Sequence, residues 1–314
     1  MGRTPAQNMD FKELSYVIAI AQYQSITKAA NSLYLTQPTL SKFLQQLESS
    51  LGQKLFDRIG RKMLLTQAGE CYVKKAQEII RLSNELHQEI AAISTNNSGI
   101  LKIGVSSLRG SEIIMTAVPP FSKLYPNVQL KFFEIDSNSF EPLLLSGDLD
   151  LAFYNLPIQS PNINYTVLRH EEVILIASKD HSLNDVAVKK PECKYPWIDL
   201  RWAKNERFIM LSEELRMYSL VKSLLDELEI TPNIWFYTRN VASACILASE
   251  GYALAFTGEQ HIKYTKFEHV PSMFSIGSPN LQRSFVVATR KNRTLPEYAQ
   301  ELIKLVQNNP PLSG

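Results

Sequence analysis

The sequence predicts an N-terminal all-α winged helix-turn-helix with a linker helix, followed by a C-terminal α/β domain of two lobes. Apolar residues recur at helical spacing through residues 11–93. A polar segment at residues 94–99, STNNSG, then interrupts that spacing and marks a boundary. Beyond it, strand and helix patterns alternate in two groups, which is typical of mostly parallel sheets covered by helices. The 314 residues suffice for about two domains.

The composition is that of an ordinary globular protein, with 45% hydrophobic and 20% charged residues. This balance excludes a disordered or collagen-like chain. The three cysteines are too few and too scattered for a secreted disulfide framework, so we expect a reducing compartment. No apolar run approaches the ~18 residues of a membrane helix, and the first residues lack a signal-peptide core. We therefore expect no membrane partner.

Positive charge is concentrated near the N-terminus. Residues 1–75 contain 10 Lys and Arg against 5 Asp and Glu, a net charge of +5. The remainder contains 23 against 26, a net charge of −3. A basic N-terminal part on a mildly acidic body predicts that this end meets a polyanion.

Three helices are predicted before residue 53. The first begins near Phe11, and Thr27 is expected to cap a short second helix. Thr36 is a good N-cap for the third helix, and Pro38 falls in its first turn, where the missing N–H is harmless. Gly52 is a natural stop for that helix.

The third helix has two chemically different faces. At ~100° per residue, one side collects four leucines, and the other collects short polar groups and one cation without any acid. The leucine side consists of Leu40, Leu44, Leu47 and Leu51, and the polar side of Pro38, Ser41, Lys42 and Gln45. A polar face of this kind suits a polyanion, whereas any one basic residue alone would be a solvated charge.

A hairpin with a basic tip is predicted at residues 55–65, and it completes a winged helix-turn-helix. In that layout the third helix enters the major groove of double-stranded DNA, and the hairpin reaches the backbone or minor groove. The candidate DNA-binding residues are Thr36, Gln37, Pro38, Thr39, Ser41, Lys42, Gln45, Arg58, Arg61 and Lys62.

A long linker helix is predicted at residues 67–95, with Thr66 as its cap. Apolar residues repeat along it roughly every seven positions, as in a coiled-coil seam, and they predict a homodimer. The alternative is a helix that packs on its own domain. The candidate dimerisation residues are Tyr72, Ile79, Leu82, Leu86 and Ile93.

Polar residues follow the predicted strands of the C-terminal domain where each strand ends. Ser106 and Ser107, for example, come directly after the strand Ile100–Val105. Carboxyl ends of parallel strands meet at one edge of an α/β sheet, where ligands bind. Hydroxyls and free N–H groups at a helix start suit a carboxylate or other anion, although the same serines could simply cap helices. The candidate effector-binding residues are Ser106, Ser107, Ser137, Asn138, Tyr154, Asn155, Ser212 and Thr257.

Signals of catalysis or of a bound cofactor are weak. The chain has no P-loop, no G-x-S-x-G, no H-E-x-x-H and no G-x-G-x-x-G, and its five histidines lack metal-ligand spacing. Lys190 and Lys194 could lower the pKa of the Cys193 thiol, but no second cysteine lies close in sequence. We expect no enzymatic activity, no metal and no cofactor, and a small-molecule inducer of unknown identity.

Residues 9–69 closely resemble the LysR-type transcriptional regulators. The matching motifs are SITKAA at 25–30, TQPTLSK at 36–42, LFDR at 55–58 and LLTQAG at 64–69. Ile26 stands where Phe is more frequent in the family, and Lys42 where Arg is frequent, which favours phosphate contact over bidentate guanine reading. The rest of the chain fits the family's effector domain in length and rhythm, with less specific motifs.

The resemblance implies a bacterial cytoplasmic transcription regulator with a C-terminal domain like the periplasmic binding proteins. It also implies homodimers that pair into homotetramers and a small-molecule inducer that binds between the lobes and alters DNA bending. The expected boundaries are 9–66 for the winged helix, with the helix-turn-helix at about 26–45, 67–95 for the linker and 99–314 for the effector domain. Lobe I takes 99–166 and 268–314, and lobe II takes 167–267.

Two other functions remain open from sequence. One is a solute-binding or enzymatic α/β protein with an incidental basic N-terminus, although it lacks an export signal and a convergent acid, base or nucleophile set. The other is a DNA-binding protein that needs no ligand because its own side chains fill the cleft. Ligand-dependent footprinting separates that second alternative from an inducer-responsive regulator.

Overall fold

The computed structural model describes residues 11–60, 62–93 and 98–308. The chain divides into two compact units at residue 93, beside the predicted polar boundary. Four predictions lie outside what the structure describes: the placement of Arg61, the side chain of Ser107, the side chain of Ile93, and the linker end at 94–95.

The N-terminal unit is built from helices and one two-stranded hairpin. β1 and β2 pair antiparallel, with Arg58 opposite Met63. In the described residues the elements are α1 (Phe11–Tyr23), α2 (Ile26–Ser32), α3 (Gln37–Leu51), β1 (Phe56–Ile59), β2 (Lys62–Leu65) and α4 (Gln67–Ile93).

Side-chain caps set the helix starts. The Thr36 side chain accepts from the N–H of Thr39, and Gly52 ends α3 in the left-handed region at φ 64°, so both predictions for this helix are confirmed. The predicted cap at Thr27 is wrong. Ser25 caps α2 instead, and Thr27 lies inside the first turn because the helix begins at Ile26.

The leucine face of α3 packs into the core of the N-terminal unit, where Leu40 and Leu44 are buried. Tyr72 of α4 is half-buried against the same core, so it does not belong to an exposed seam. A Cβ on Gly69 would overlap the carbonyl oxygen of Leu55, which shows how closely α4 approaches the hairpin. Further along α4, Leu82, Leu86 and Ile90 are exposed, each by more than half of its surface.

The C-terminal unit alternates strands and helices as predicted. Its first half contains β3 (Gly99–Val105), α5 (Ser107–Thr116), α6 (Val118–Leu124), β4 (Val128–Glu134), α7 (Phe140–Ser146), β5 (Leu151–Asn155) and β6 (Ile163–Ala177). Its second half contains α8 (Leu183–Val186), β7 (Arg207–Leu211), α9 (Arg216–Glu227), β8 (Asn233–Thr238), α10 (Val241–Ser249), β9 (Leu254–Gly258), α11 (Glu259–Lys263), β10 (Ser272–Ser275), β11 (Leu281–Arg290) and α12 (Glu297–Asn308).

The strands follow the order β4-β3-β5-β11-β6-β9-β7-β8, with β10 paired to β6. β3 runs parallel to β4 and β5, and β7 runs parallel to β8 and β9. Two parallel groups are thus joined by the antiparallel strands β6 and β11. Each group has its own hydrophobic core, so the predicted two-lobed α/β architecture is present.

The connection between the lobes differs from the predicted one. Lobe II does not end at residue 267, because Phe274 and Ile276 are buried in its core and β10 pairs with the end of β6. β11 then returns to lobe I, where Phe285 is buried. The lobes are therefore connected through the long strands β6 and β11.

Candidate functional site

α3 and the hairpin form the surface expected to meet DNA. Each described candidate on it is exposed, apart from the half-buried Ser41. Thr36 Oγ1 and Thr39 Oγ1 lie 2.7 Å apart and hydrogen-bond each other within the helix cap. The exposed candidates are Thr36, Gln37, Pro38, Thr39, Lys42, Gln45, Arg58 and Lys62.

The acid of α3, Glu48, faces the hairpin. Its Oε1 accepts from the backbone N–H groups of Leu55 at 2.7 Å and Phe56 at 3.1 Å. These hydrogen bonds hold the start of the hairpin against α3. They also keep the Glu48 carboxylate on the side of α3 that faces the hairpin. The exposed candidate side of the helix therefore keeps the positive charge of Lys42 without an acidic neighbour on the same helix.

Tyr34 was missed from sequence. It precedes α3 at φ 56°, and its side chain is 98% exposed. An aromatic residue two positions before the N-cap Thr36 was the available signal. A ring held outward beside the predicted DNA surface is a candidate contact to the backbone or to a sugar.

The C-terminal unit contains a cavity of about 740 Å³ between the two lobes. This volume lies in the range of small-molecule sites, roughly 300–1,000 Å³. Four of the predicted effector residues line it, namely Ser106, Ser137, Tyr154 and Asn155. Lobe I thus contributes polar groups at the ends of β3, β4 and β5, as the strand topology predicts.

Ser106 occupies the N-cap position of α5, but its side chain makes no capping hydrogen bond. The sequence alternative, in which this serine serves only to cap a helix, therefore does not describe it. Its hydroxyl borders the cavity at the start of a ten-residue helix. A ligand that accepts a hydrogen bond can meet it there.

Three predicted effector residues, Asn138, Ser212 and Thr257, do not line the cavity in the described part of the chain. The N–H of Ser212 donates to the carbonyl of Thr238 at 2.9 Å, so the ends of β7 and β8 are tied to each other. Thr257 is fully buried, with Oγ1 3.1 Å from His261 Nδ1. His261, rather than Thr257, lines the cavity.

Arg216, at the start of α9 in lobe II, holds the edge of lobe I. Its Nε donates to Ser137 Oγ at 3.2 Å, and its Nη1 donates to the carbonyls of Asn155 and Pro157. Glu141 lies 3.7 Å from its Nη2. Arg216 therefore connects the lobes at the cavity mouth, and sequence reasoning missed it because its partners lie far away in the chain.

Two more contacts cross the cavity mouth. Arg239 Nη2 lies 2.8 Å from Asp136 Oδ2, and Asn138 Nδ2 donates to the carbonyl of Glu214 at 3.0 Å. We call the interlobe contacts of Arg216, Arg239 and Asn138 the latch. Asn138 therefore acts in the latch rather than in the cavity wall.

Substitution of Arg216 by Met should weaken the latch. The side chain is largely buried and donates several charge-assisted hydrogen bonds, so we expect the C-terminal unit to lose about 1.5–3 kcal/mol of unfolding free energy. The amides of Asn155, Leu156 and Ile158 should exchange hydrogen faster, because their segment loses its partner in lobe II. The matched control is Arg201→Met, at an exposed arginine paired with Asp199. Equal melting and exchange in the parent and Arg216→Met would show that the latch does not stabilise this unit.

Five charged residues form a cluster that borders the cavity through Arg109 and Arg283, at what we call its inner end. The five are Arg109, Glu112, Arg169, Glu171 and Arg283, here called the inner cluster. Arg109 pairs with Glu171 and lies 2.8 Å from Glu112. Arg169 pairs with Glu112 and lies 2.8 Å from Glu171. Arg283 lies 3.3 Å from the same Glu171. Three guanidinium groups thus share two carboxylates.

The surroundings of the inner cluster shift several pKa values. Burial alone would raise the pKa of Glu171, but Arg109 and Arg283 outweigh it and hold the pKa well below its usual range. Burial also lowers the pKa of Arg283 to about 10. Burial, together with Arg283 and Arg109, lowers the pKa of His261 well below its usual value, so this imidazole is neutral at neutral pH.

Two family models match the chain. The LysR substrate binding domain matches residues 94–310, and the bacterial regulatory helix-turn-helix protein of the lysR family matches residues 11–70. The chain belongs to the LysR family. It is a DNA-binding transcriptional regulator with a C-terminal effector-binding domain, as the sequence predicts.

Full-length relatives of this LysR regulator are found in Bacillus subtilis (strain 168). YcgK, an HTH-type transcriptional regulator, is 29% identical over 306 residues, which is 95% of this chain and 94% of the relative. YwbI, of the same class, is 31% identical over 230 residues, or 73% of each chain.

Solved LysR structures share the fold of this LysR regulator. Full-length OxyR C199D from Pseudomonas aeruginosa has a TM-score of 0.69 at 21% identity and covers 96% of both chains. Full-length CbnR complexed with its target DNA has a TM-score of 0.60 at 18% identity, covering 95% of this chain and 99% of that one.

The possibility that Lys190 and Lys194 lower the pKa of the Cys193 thiol is not realised. Burial and the charge of Glu172 raise the pKa of the Cys193 thiol and outweigh the lowering effect of Lys190. Lys190 Nζ lies 3.1 Å from the centre of the Trp197 ring, and Lys194 Nζ lies 2.6 Å from Glu259. Across the described residues, no group of His, Cys, Asp or Glu could hold a metal ion, and none of the helices is long and apolar enough to cross a membrane.

Proposed function

We propose that this chain regulates transcription in response to a small molecule that occupies the interlobe cavity. The observation that carries the proposal is the cavity of about 740 Å³, whose wall combines residues of both lobes. A ligand that contacts both walls changes the balance between open and closed lobes by its differential affinity for them. The effector domain transmits that change to the DNA-binding unit through the assembled oligomer.

We further propose a homodimer joined through the exposed stripe of α4, with two dimers forming a homotetramer. Leu82, Leu86 and Ile90 form an apolar row at four-residue spacing that one chain leaves open to solvent. A dimer places two α3 helices on one duplex, and a symmetric operator then matches the symmetry of the protein.

In this proposal the DNA contacts divide into two kinds. Gln37, Ser41 and Gln45 are amide and hydroxyl groups suited to base edges in the major groove. Lys42, Lys62 and the other basic candidates neutralise phosphates. The protein performs no catalysis, needs no cofactor or metal and acts in the bacterial cytoplasm, where its DNA lies. The scattered histidines and the unactivated Cys193 support this view.

Selection of bound duplexes from a random pool tests the DNA proposal and finds the operator sequence in the same experiment. Lys62→Ala should weaken binding to all selected sequences alike and reduce the salt slope by about one, because one phosphate contact is lost. Gln37→Ala should instead change which sequences are selected. Lys204→Ala, at an exposed lysine of the C-terminal unit, is the control. An unchanged affinity and slope in Lys62→Ala would remove the hairpin from the interface.

A further inference from the structure

The cavity wall contains buried polar atoms that form no hydrogen bond within the described part of the chain. Five such atoms lie among the described residues, and one of the five, Arg283 Nη2, has only the ion pair with Glu171 Oε2 at 3.3 Å. Four are pure N–H donors, and the fifth is a phenol hydroxyl. The five atoms are Arg109 Nε, Asn155 Nδ2, Arg283 Nε, Arg283 Nη2 and Tyr154 OH. Because buried donors are nearly always satisfied, this set points to a ligand that supplies acceptors.

The net charge of the inner cluster also favours an anionic ligand. The inner cluster contains three guanidinium groups and two carboxylates, so one positive charge is left over. His261 is neutral and adds no further positive charge. Glu171 already serves all three arginines, while Glu112 contacts Arg109 and Arg169 only. A buried charge without a full partner is costly, and an incoming anion removes that cost.

The backbone of β9 restricts the position of the Arg283 guanidinium. A Cβ on Gly258 would overlap its Nη2, so the backbone of β9 approaches the group closely. Its Nη1 lies 3.6 Å from Met217 Sδ, which is a weak acceptor. The group is therefore pre-positioned: its Nε forms no hydrogen bond among the described residues, and its Nη2 has only the ion pair with Glu171.

The cavity mouth carries charges of both signs: Arg216 and Arg239 of the latch line it, and Arg239 pairs with Asp136. Glu134 and Asp136 both line it, and the carboxyl group of Glu134 packs over Gly110 in α5. An anion at the start of α5, beside Ser106, would meet the negative charge of Glu134. The inner end offers it unused donors and a surplus cation instead.

We propose that the cavity binds a molecule with one anionic group, a carboxylate in the simplest case, whose charged end lies against Arg283 and Arg109 at the inner end. The inference rests on the proposed function, because it specifies the ligand of the same cavity. The anion accepts from the guanidinium N–H groups and from Asn155 Nδ2. The sequence predicted that the anion would bind at Ser106 and Ser107. In this assignment the Ser106 hydroxyl instead contacts a polar part of the ligand nearer the mouth.

The opposite wall selects an apolar body for this ligand. Leu211, Leu215, Leu220 and Val241 line it from lobe II, and Met217 extends this apolar surface to Arg283. A compact inorganic anion would leave that surface uncovered, whereas an amphipathic monocarboxylate covers it and gains from burial. The geometry therefore favours an organic acid over phosphate or sulfate.

Calorimetry on the full chain at neutral pH tests the assignment. The probes are unbranched carboxylates from acetate to octanoate, each compared with its primary amide, which has the same shape but no charge. We expect at least one acid to bind about tenfold or more tightly than its amide. Arg283→Met should abolish that preference, and Arg201→Met, the exposed control, should retain it.

Gly258→Ala serves as a second variant if Arg283→Met does not fold. Its new Cβ displaces the Arg283 guanidinium while keeping the charge, and it should also reduce the preference for acids. The assignment is overturned if no acid binds more tightly than its amide, or if the preference survives the loss of Arg283. Tight binding of the amides would overturn the anion but keep the cavity as an effector site, and DNA binding of the same preparation is measured separately.

Discussion

Glu171→Gln should lower the unfolding free energy of the C-terminal unit by about 3–5 kcal/mol, because it leaves buried guanidinium groups without their shared partner. Glu171 is fully buried as a side chain and contacts Arg109, Arg169 and Arg283. Glutamine preserves the shape but supplies one neutral oxygen for three cations. Chemical denaturation followed by circular dichroism measures the effect.

The pH dependence of the difference in unfolding free energy between the parent and Glu171→Gln shows whether the loss comes from charge or from packing. The pKa of Glu171 is depressed in the folded chain, so its stabilisation is present above the unfolded pKa of about 4.3 and is lost as pH falls toward the folded pKa. The gap between the parent and Glu171→Gln should therefore be constant near neutral pH and narrow below about pH 4. Asp226→Asn, in an exposed pair with Lys222, should leave the midpoint unchanged. A gap that does not change with pH would assign the loss to packing instead of charge.

The N-terminal unit could be read from sequence because its determinants are local. Thr36 and Gly52 bound α3 through contacts within a few residues, and the leucine face follows from helical spacing alone. Even the error at Thr27 is only two positions, since Ser25 and Thr27 both carry a hydroxyl that can cap a helix. Local chemistry determines the existence of such a helix more reliably than its first residue.

The inner end of the cavity could not be read in the same way. Arg109 and Glu171 are 62 positions apart, and the pair forms only when β6 is placed beside the other strands. Continuous apolar patterning covers only residues 173–177 of β6, whereas the strand extends from Ile163. The missed part contains Arg169 and Glu171, whose charges hide a strand from apolar patterning.

The serines that follow predicted strands identified the correct edge of the sheet, but not all of their side chains line the cavity. Ser106 and Ser137 line the cavity, whereas Ser212 follows β7 and does not. Position along a strand fixes where the backbone ends. Which side chain reaches the cavity depends on the turn that follows, and that turn is set by contacts such as the one between Ser212 and Thr238.

Leu86→Glu should dissociate the proposed homodimer and lower apparent operator affinity by about 100-fold or more, since two linked half-site contacts become independent. Leu86 lies in the middle of the exposed stripe, with Leu82 and Ile90 one turn away on either side. A carboxylate buried there on association would have no compensating charge. Sedimentation measures the assembly, and binding to a selected duplex measures the affinity.

The matched control for this variant is Gln77→Glu, which adds the same charge to the opposite side of α4 at an exposed position. It should leave both assembly and affinity unchanged. Because Leu86 is already exposed in a single chain, Leu86→Glu should keep the helical circular dichroism of the parent, so a lost dimer cannot be attributed to unfolding. If Leu86→Glu sediments as the parent does, the copies associate through another surface, and the row of Leu82, Leu86 and Ile90 requires a different partner to cover it.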